Sequence, residues 1–105
     1  MEKKRTKQAY LPMTETMFYI LLSLTEQKHG YGIMQHVEEL TSGRIKLGAG
    51  TTYSSLSKLE KDDLIHAAGE QDRRKLYVIT DHGRELLHLE LDRLRELVHN
   101  GCKLL

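Results

Sequence analysis

Apolar residues recur at helical spacing in four stretches of the chain and at strand spacing in three. The first helix is predicted to start at Thr14 and Glu15, a hydroxyl followed by an acid that together suit a helix cap, and to run through about Thr25. Met17, Ile20, Leu21 and Leu24 form one stripe while Phe18 and Leu22 fall on another, so this helix is expected at the centre of the core. Two glycines within His29-Gly30-Tyr31-Gly32 favour a turn over continued helix. A second helix is predicted from Tyr31 to about Leu40, with Ile33, Met34, Val37 and Leu40 on one side and Gln35, Glu38 and Glu39 on the other. Thr41, Ser42 and Gly43 end it. Arg44-Ile45-Lys46-Leu47 then alternates basic and aliphatic residues, which predicts a short strand with Ile45 and Leu47 inward.

Gly48-Ala49-Gly50-Thr51 reads as a turn into a third helix, approximately Thr51 to Asp62, with Tyr53, Leu56, Leu59 and Leu64 on its buried side. The opposite face would hold Thr51, Ser54, Ser55, Lys58 and Asp62. Short hydroxyls on such a face let the helix backbone approach another surface closely. Leu64 to Glu70 and Lys75 to Ile79 read as strands of a β-hairpin whose tip, around Gln71-Asp72-Arg73-Arg74, is charged. Thr80 and Asp81 are a strong cap signal for a last helix, from about His82 to Asn100, which Gly101 is expected to stop. That helix carries two apolar stripes, Leu87, Leu91, Leu94, Val98 and Leu86, Leu89, Leu97. One stripe suits the core, and the other is left for a partner surface.

Composition narrows the class. The chain has 105 residues, 30% of them charged and 39% hydrophobic, as expected of one small soluble domain. With 16 Lys plus Arg against 15 Asp plus Glu, the net charge of +1 offers no global attraction to nucleic acid, so an affinity for DNA has to come from the distribution of charge. Residues 1–9 hold four cations and one anion and read as a flexible basic arm. Residues 9–41 hold one cation and four anions, whereas residues 42–79 hold seven cations and five anions. Positive charge is therefore expected on the arm, Arg44, Lys46, Lys58, Lys61 and Arg73 to Lys75. The single cysteine, Cys102, excludes an intramolecular disulfide. The Met17 to Leu24 run is too short for a membrane span, the basic start leads to no secretory cleavage site, and Glu2 excludes myristoylation, so a cytoplasmic location is expected.

The predicted order, three helices and a hairpin followed by one more helix, is that of a mainly α (α+β) winged helix-turn-helix at 10–80 with an added C-terminal dimerisation helix and tail at 81–105. In this geometry the third helix enters a major groove, about 12 Å wide, while cations of the wing reach the neighbouring phosphates. The runs Phe18-Tyr19-Ile20-Leu21-Leu22, His29-Gly30-Tyr31-Gly32-Ile33, Leu47-Gly48-Ala49-Gly50-Thr51-Thr52-Tyr53, Leu59-Glu60 and Arg73-Arg74-Lys75-Leu76-Tyr77-Val78-Ile79-Thr80 closely resemble the PadR family of bacterial transcriptional regulators. The resemblance covers about residues 10–98, and the single helix after the wing is similar to the short subfamily, in which that helix mediates homodimerisation. It implies a homodimeric, sequence-specific DNA-binding regulator, a repressor on a pseudo-palindromic operator, and no enzymatic activity.

The resemblance places Thr51, Thr52, Tyr53, Ser55 and Lys58 among the DNA contacts of the recognition helix. Thr51 and the free amides of the first turn suit a phosphate, Ser54, Ser55 or Lys58 suits base edges, and the Tyr53 ring is expected to pack inward with its hydroxyl directed to the DNA backbone. Arg73, Arg74 and Lys75 are expected at phosphates or in the minor groove. Dimerisation falls to Leu86, Leu87, Leu89, Leu91, Leu94, Leu97 and Val98. Two positions depart from the family pattern: Ala49 stands where proline is common, and Ser54 where a larger basic residue is frequent.

Other chemistry finds less support. Gly48-Ala49-Gly50 lacks the third glycine and the Lys-Ser/Thr of a phosphate-binding loop. The six histidines form no metal-ligand spacing, and no serine or cysteine lies in a nucleophile motif, so neither cofactor nor metal is expected. The resemblance also brings in a small-molecule effector, a small aromatic or cationic hydrophobe held between protomers. The chain has no Trp and its single Phe18 falls in the core helix, so no residue is assigned to it. The competing reading is a winged-helix protein–protein interaction module whose leucine strip binds a different protein and whose wing never meets DNA.

Overall fold

A computed structural model describes residue 7 and residues 9–105. The elements follow the order α1 (Glu15–Ser23), α2 (Gly30–Leu40), α3 (Ala49–Lys61), β1 (Ile65–Gln71), β2 (Arg74–Ile79) and α4 (Asp81–Leu104). Most of the basic arm expected at residues 1–9 lies outside the described residues. Its end departs from the expectation, because Lys7 and Ala9 are helical and the Leu11 amide donates to the Lys7 carbonyl at 2.8 Å.

Three of the four main helices start where a side chain accepts from a first-turn amide. Thr14 caps α1 by accepting from Met17 N–H, and Thr80 caps α4 by accepting from Gly83 N–H. His29 does the same for α2, its Nδ1 accepting from Gly32 N–H at 3.0 Å. This cap places Gly30, Tyr31 and Gly32 inside the first turn of α2, where a turn was expected from the glycine pair. Gly48 caps α3 without a side-chain bond, so the predicted Gly-Ala-Gly turn is likewise the start of a helix. At the other end of the chain Gly101 does not stop α4, which continues through Leu104.

The core gathers Ile20, Leu21 and Leu24 of α1, Ile33 and Val37 of α2, Leu56 and Leu59 of α3, and Leu64, Ile65, Ile79, Leu86 and Leu87 behind them. Ser23, fully buried on α1, is satisfied by His36 Nδ1 at 2.9 Å. Residues 44–47 do not form the expected strand. Ile45 and Leu47 are half-buried against the core and Arg44 and Lys46 are exposed, so the alternation holds, but the segment forms no strand ladder among the described residues. The third strand-like position is taken by Lys28, whose amide and carbonyl both bond to Tyr77 of β2, at 3.1 and 2.9 Å.

The hairpin pairs Ile65 with Ile79 through Gln71 with Arg74 in antiparallel register. Asp72 and Arg73, with φ of 51° and 64°, form the two-residue connection, whose left-handed backbone matches the twist of the strands. A bulge at Ala68 shifts the register before Gly69. Burial on α4 divides along its length and not between its two leucine stripes. Gly83, Leu86, Leu87 and Glu90 are buried, Leu89, Leu91 and Leu94 are half-buried, and every residue from Arg95 onward is exposed. Leu86 and Leu87, both expected at a dimer interface, therefore belong to the core of the protomer.

Candidate nucleic-acid interface

The start of α3 offers the groups that an anionic backbone needs. In an α-helix the first amides have no intrahelical acceptor, and no side chain caps those of Ala49, Gly50 and Thr51. Gly48 to Thr51 are all exposed. Thr52 is turned the other way: it is fully buried and its hydroxyl donates to the Gly48 carbonyl at 2.8 Å. Its expected contact with DNA is thereby corrected, because helical spacing groups Thr52 with Leu56 and Leu59 on the core side. The outward face consists of Thr51, Tyr53, Ser54, Ser57, Lys58 and Lys61, with Ser55 half-buried at its margin. Ser57 was not among the sequence candidates, and Lys61 was expected only as part of the positive charge, although both lie at helical spacing from Ser54.

Tyr53 also departs from expectation. Its ring is 49% exposed and lies over the first turn of α2, where a Cβ on Gly30 would fall 2.7 Å from the ring carbons. Only a glycine at position 30 leaves room for this placement. Tyr31, equally exposed at 49%, stacks on His29 with ring centroids 6.4 Å apart. Arg74 of the wing lies over the Tyr31 ring at 5.6 Å. The first turn of α2 is therefore where the recognition helix and the wing meet, a role the sequence candidates omitted; the signal was Tyr31 between two glycines.

The cations differ in their surroundings. Arg44 pairs with Glu15, which holds the Glu15 carboxyl below its usual range. Lys75 is shared between Glu60, at 3.4 Å, and the face of Tyr77. Lys58 lies 5.1 Å from the centre of the Tyr10 ring, and the Tyr10 hydroxyl donates to Asp62 at 2.6 Å. Burial first, and then Asp62, pushes the Tyr10 phenol well above its usual range. Arg73, at the tip, has no side-chain partner among the described residues. Of the expected positive groups, Arg44 and Lys75 are thus partly neutralised, while Lys46, Lys61, Arg73 and Arg74 have no acidic partner among the described residues.

A second cluster lies between α1 and α4. Glu90, 1% exposed, takes two bonds from Arg93 at 2.7 and 2.8 Å and one from Met13 N–H at 3.1 Å. Arg93 and, to a lesser extent, the Met13 bond hold its carboxyl below the usual range against the opposing effect of burial. Met13, Phe18, Tyr19, Arg93 and Leu94 line an open cleft of about 350 Å³ beside it. Among the described residues no group of three His, Cys, Asp or Glu side chains is arranged to hold a metal ion, and no helix is long and apolar enough to cross a membrane.

The model of the PadR-like transcriptional regulator family matches residues 20–89, which take in the end of α1, all of α2, α3 and the wing, and the docked start of α4. The chain belongs to this PadR-like family. Solved structures share its fold. A PadR family transcriptional regulator from Eggerthella lenta superposes with a TM-score of 0.72 at 24% identity, covering 85% of this chain and 80% of that one. A PadR-like transcriptional regulator from Bacillus cereus gives 0.70 at 22% identity, with 85% and 89% covered. A transcriptional regulator from Clostridium thermocellum gives 0.67 at 26% identity, with 81% and 85% covered. An uncharacterized 37.1 kDa protein of a Streptomyces fradiae transposon is 35% identical over 69 residues, 66% of this chain and 19% of that protein. The chain thus aligns with about a fifth of that curated relative. The match of the PadR-like model ends at residue 89, so it leaves out the exposed end of α4.

Proposed function

We propose that this protein binds duplex DNA sequence-specifically as a homodimer and represses transcription from a pseudo-palindromic operator. The observation that carries this reading is the common anchoring of two outward elements. α3, whose exposed first turn offers free amides and short hydroxyls, is anchored through Tyr53 and the wing through Arg74 on the first turn of α2, at Gly30 and Tyr31. Thr51 and the amides beside it take a phosphate. Ser54, Ser55 and Lys58 face the bases, and Tyr53, Arg73, Arg74 and Lys75 take the flanking backbone. A two-fold dimer built on Leu89, Leu91, Leu94, Leu97 and Val98 would set the two recognition helices about 34 Å apart, one turn of DNA.

A small-molecule effector fits the same scheme by favouring one dimer geometry over another. The cleft between α1 and α4 is the place for it, because about 350 Å³ accommodates a small aromatic molecule and its lining reaches the dimerisation helix at Leu94. Selection of bound fragments from random duplex DNA, followed by affinity measurements across salt concentration, tests the reading. Enrichment of two half-sites one helical turn apart, with affinity falling steeply as salt rises, is the expected result. No duplex binding at low salt would overturn it.

A further inference from the structure

We infer that Tyr31 is a positioning residue for DNA recognition: its ring holds the Arg74 guanidinium of the wing in a preset place beside the recognition helix. The inference rests on the DNA-binding reading and adds to it a residue that lies on neither the recognition helix nor the wing. Three observations converge on the first turn of α2. The Arg74 guanidinium carbon lies 5.6 Å from the centre of the Tyr31 ring. The ring itself is steadied by its stacking on His29, inclined by 18°, while His29 is held in turn by its cap bond to Gly32 N–H. One residue away, Gly30 admits the Tyr53 ring of α3, so wing and recognition helix are referenced to the same turn of backbone.

The chemistry of the contact favours presentation of Arg74 over sequestration. A guanidinium placed over an aromatic face is attracted to it by charge, and this attraction occupies none of its N–H donors, which remain for a phosphate. Holding it there also removes rotamer freedom that a free arginine would lose on binding. Tyr31 is half exposed and has no core role that its ring face would explain.

The test compares Tyr31→Leu, Tyr31→Phe, Arg74→Ala and the Tyr31→Leu/Arg74→Ala double variant with the wild-type chain, using a duplex selected by the wild type. Tyr31→Leu is expected to weaken binding about two- to fivefold per protomer, the range of an exposed cation–π contact. It should leave the salt slope unchanged, because the Arg74 charge is still present. Tyr31→Phe keeps the ring face and should bind like the wild type. Arg74→Ala should lower both affinity and salt slope, and adding Tyr31→Leu to it should cost nothing more. Tyr31→Leu binding as well as or tighter than the wild type, Tyr31→Phe as weak as Tyr31→Leu, or additive losses in the double variant would each overturn the inference. An NMR measurement without DNA keeps it separate from the broader reading. The Arg74 Nε–H resonance should be shifted by the ring in the wild type and in Tyr31→Phe but not in Tyr31→Leu. Absence of that shift sinks the clasp, whereas a wild-type chain that binds no duplex sinks the DNA reading.

Discussion

Gly83 sits where the first turn of α4 packs on Leu64, just before β1, and on Ile79 at the end of β2, and a Cβ there would lie 2.3 Å from the Leu64 carbonyl oxygen and 2.6 Å from Ile79. The nearer atom is backbone and is engaged by Thr80 N–H at 3.0 Å, so a side chain can be admitted only by lifting the helix. Gly83→Ala is expected to destabilise the protein by about 1–3 kcal/mol, as overpacked sites do, and thermal unfolding will read this as a fall of several degrees. Glu90 supplies a pH-dependent test. Its carboxyl is held below the usual range by Arg93, so the stability it contributes is present above its unfolded pKa of about 4.3 and is lost as pH falls through the lower folded value. Glu90→Gln should therefore be less stable than the wild type at neutral pH, by about 1–3 kcal/mol for the weakened bonds to Arg93 and Met13. The gap should narrow in chemical unfolding below about pH 4; a gap independent of pH would remove Glu90 from the acid transition.

In the proposed DNA complex the recognition helix and the wing divide their work by charge and shape. The outward face of α3 carries Lys58 and Lys61 in its second half, and its first half relies on amides and hydroxyls, so this helix is suited to close approach more than to long-range attraction. The wing supplies the reach, with Arg73 unpartnered at its tip among the described residues and Arg74 over Tyr31. Arg73→Ala and Arg74→Ala together should reduce the salt slope of operator binding by about two per protomer, and weaken binding across sequences, as removal of phosphate contacts does. Ser54→Ala should instead change which half-site is preferred and leave the slope alone. The helices and the wing were legible from periodicity and turn chemistry, because local spacing dictates which faces are apolar. The details that failed were those where one residue's surroundings decide. Thr52 shares the inward register of Leu56 and Leu59, where the Gly48 carbonyl satisfies its hydroxyl, and Tyr53 lies outward over Gly30, which makes room for it.

The whole molecule is elongated, 51 × 38 × 21 Å, with a radius of gyration of 14.5 Å against about 13 Å for a compact chain of similar length. The extension comes from α4, whose 24 residues dock only as far as Leu94 and are exposed from Arg95 onward. Leu97 and Val98, 52% and 64% exposed, lie on the undocked part and form the apolar surface available to a second copy. The double variant Leu97→Glu/Val98→Glu should leave the protomer fold intact by circular dichroism and sediment as a monomer. Its operator affinity should fall about a hundredfold or more, since each half-site then binds alone. A variant that remains dimeric would remove this end of α4 from the interface. The near-zero net charge points the same way, because two weakly basic faces need to be joined before they bind well.

Periodicity, capping residues and the charged hairpin tip were enough to place the helices and the wing and to show the likeness to a regulator family, because these are properties of neighbours in the chain. The sequence could not show that Lys28, and not the alternating segment 44–47, would complete the sheet edge, since strand pairing is decided by which backbone lies opposite a free edge. Nor could it separate Leu86 and Leu87 from Leu97 and Val98, which share the same helical rhythm. Burial of the first pair and exposure of the second depend on how far along α4 the rest of the protomer extends. The aromatic meeting of Tyr31, Arg74, Gly30 and Tyr53 joins residues from three elements, and their proximity exists only once the chain has folded.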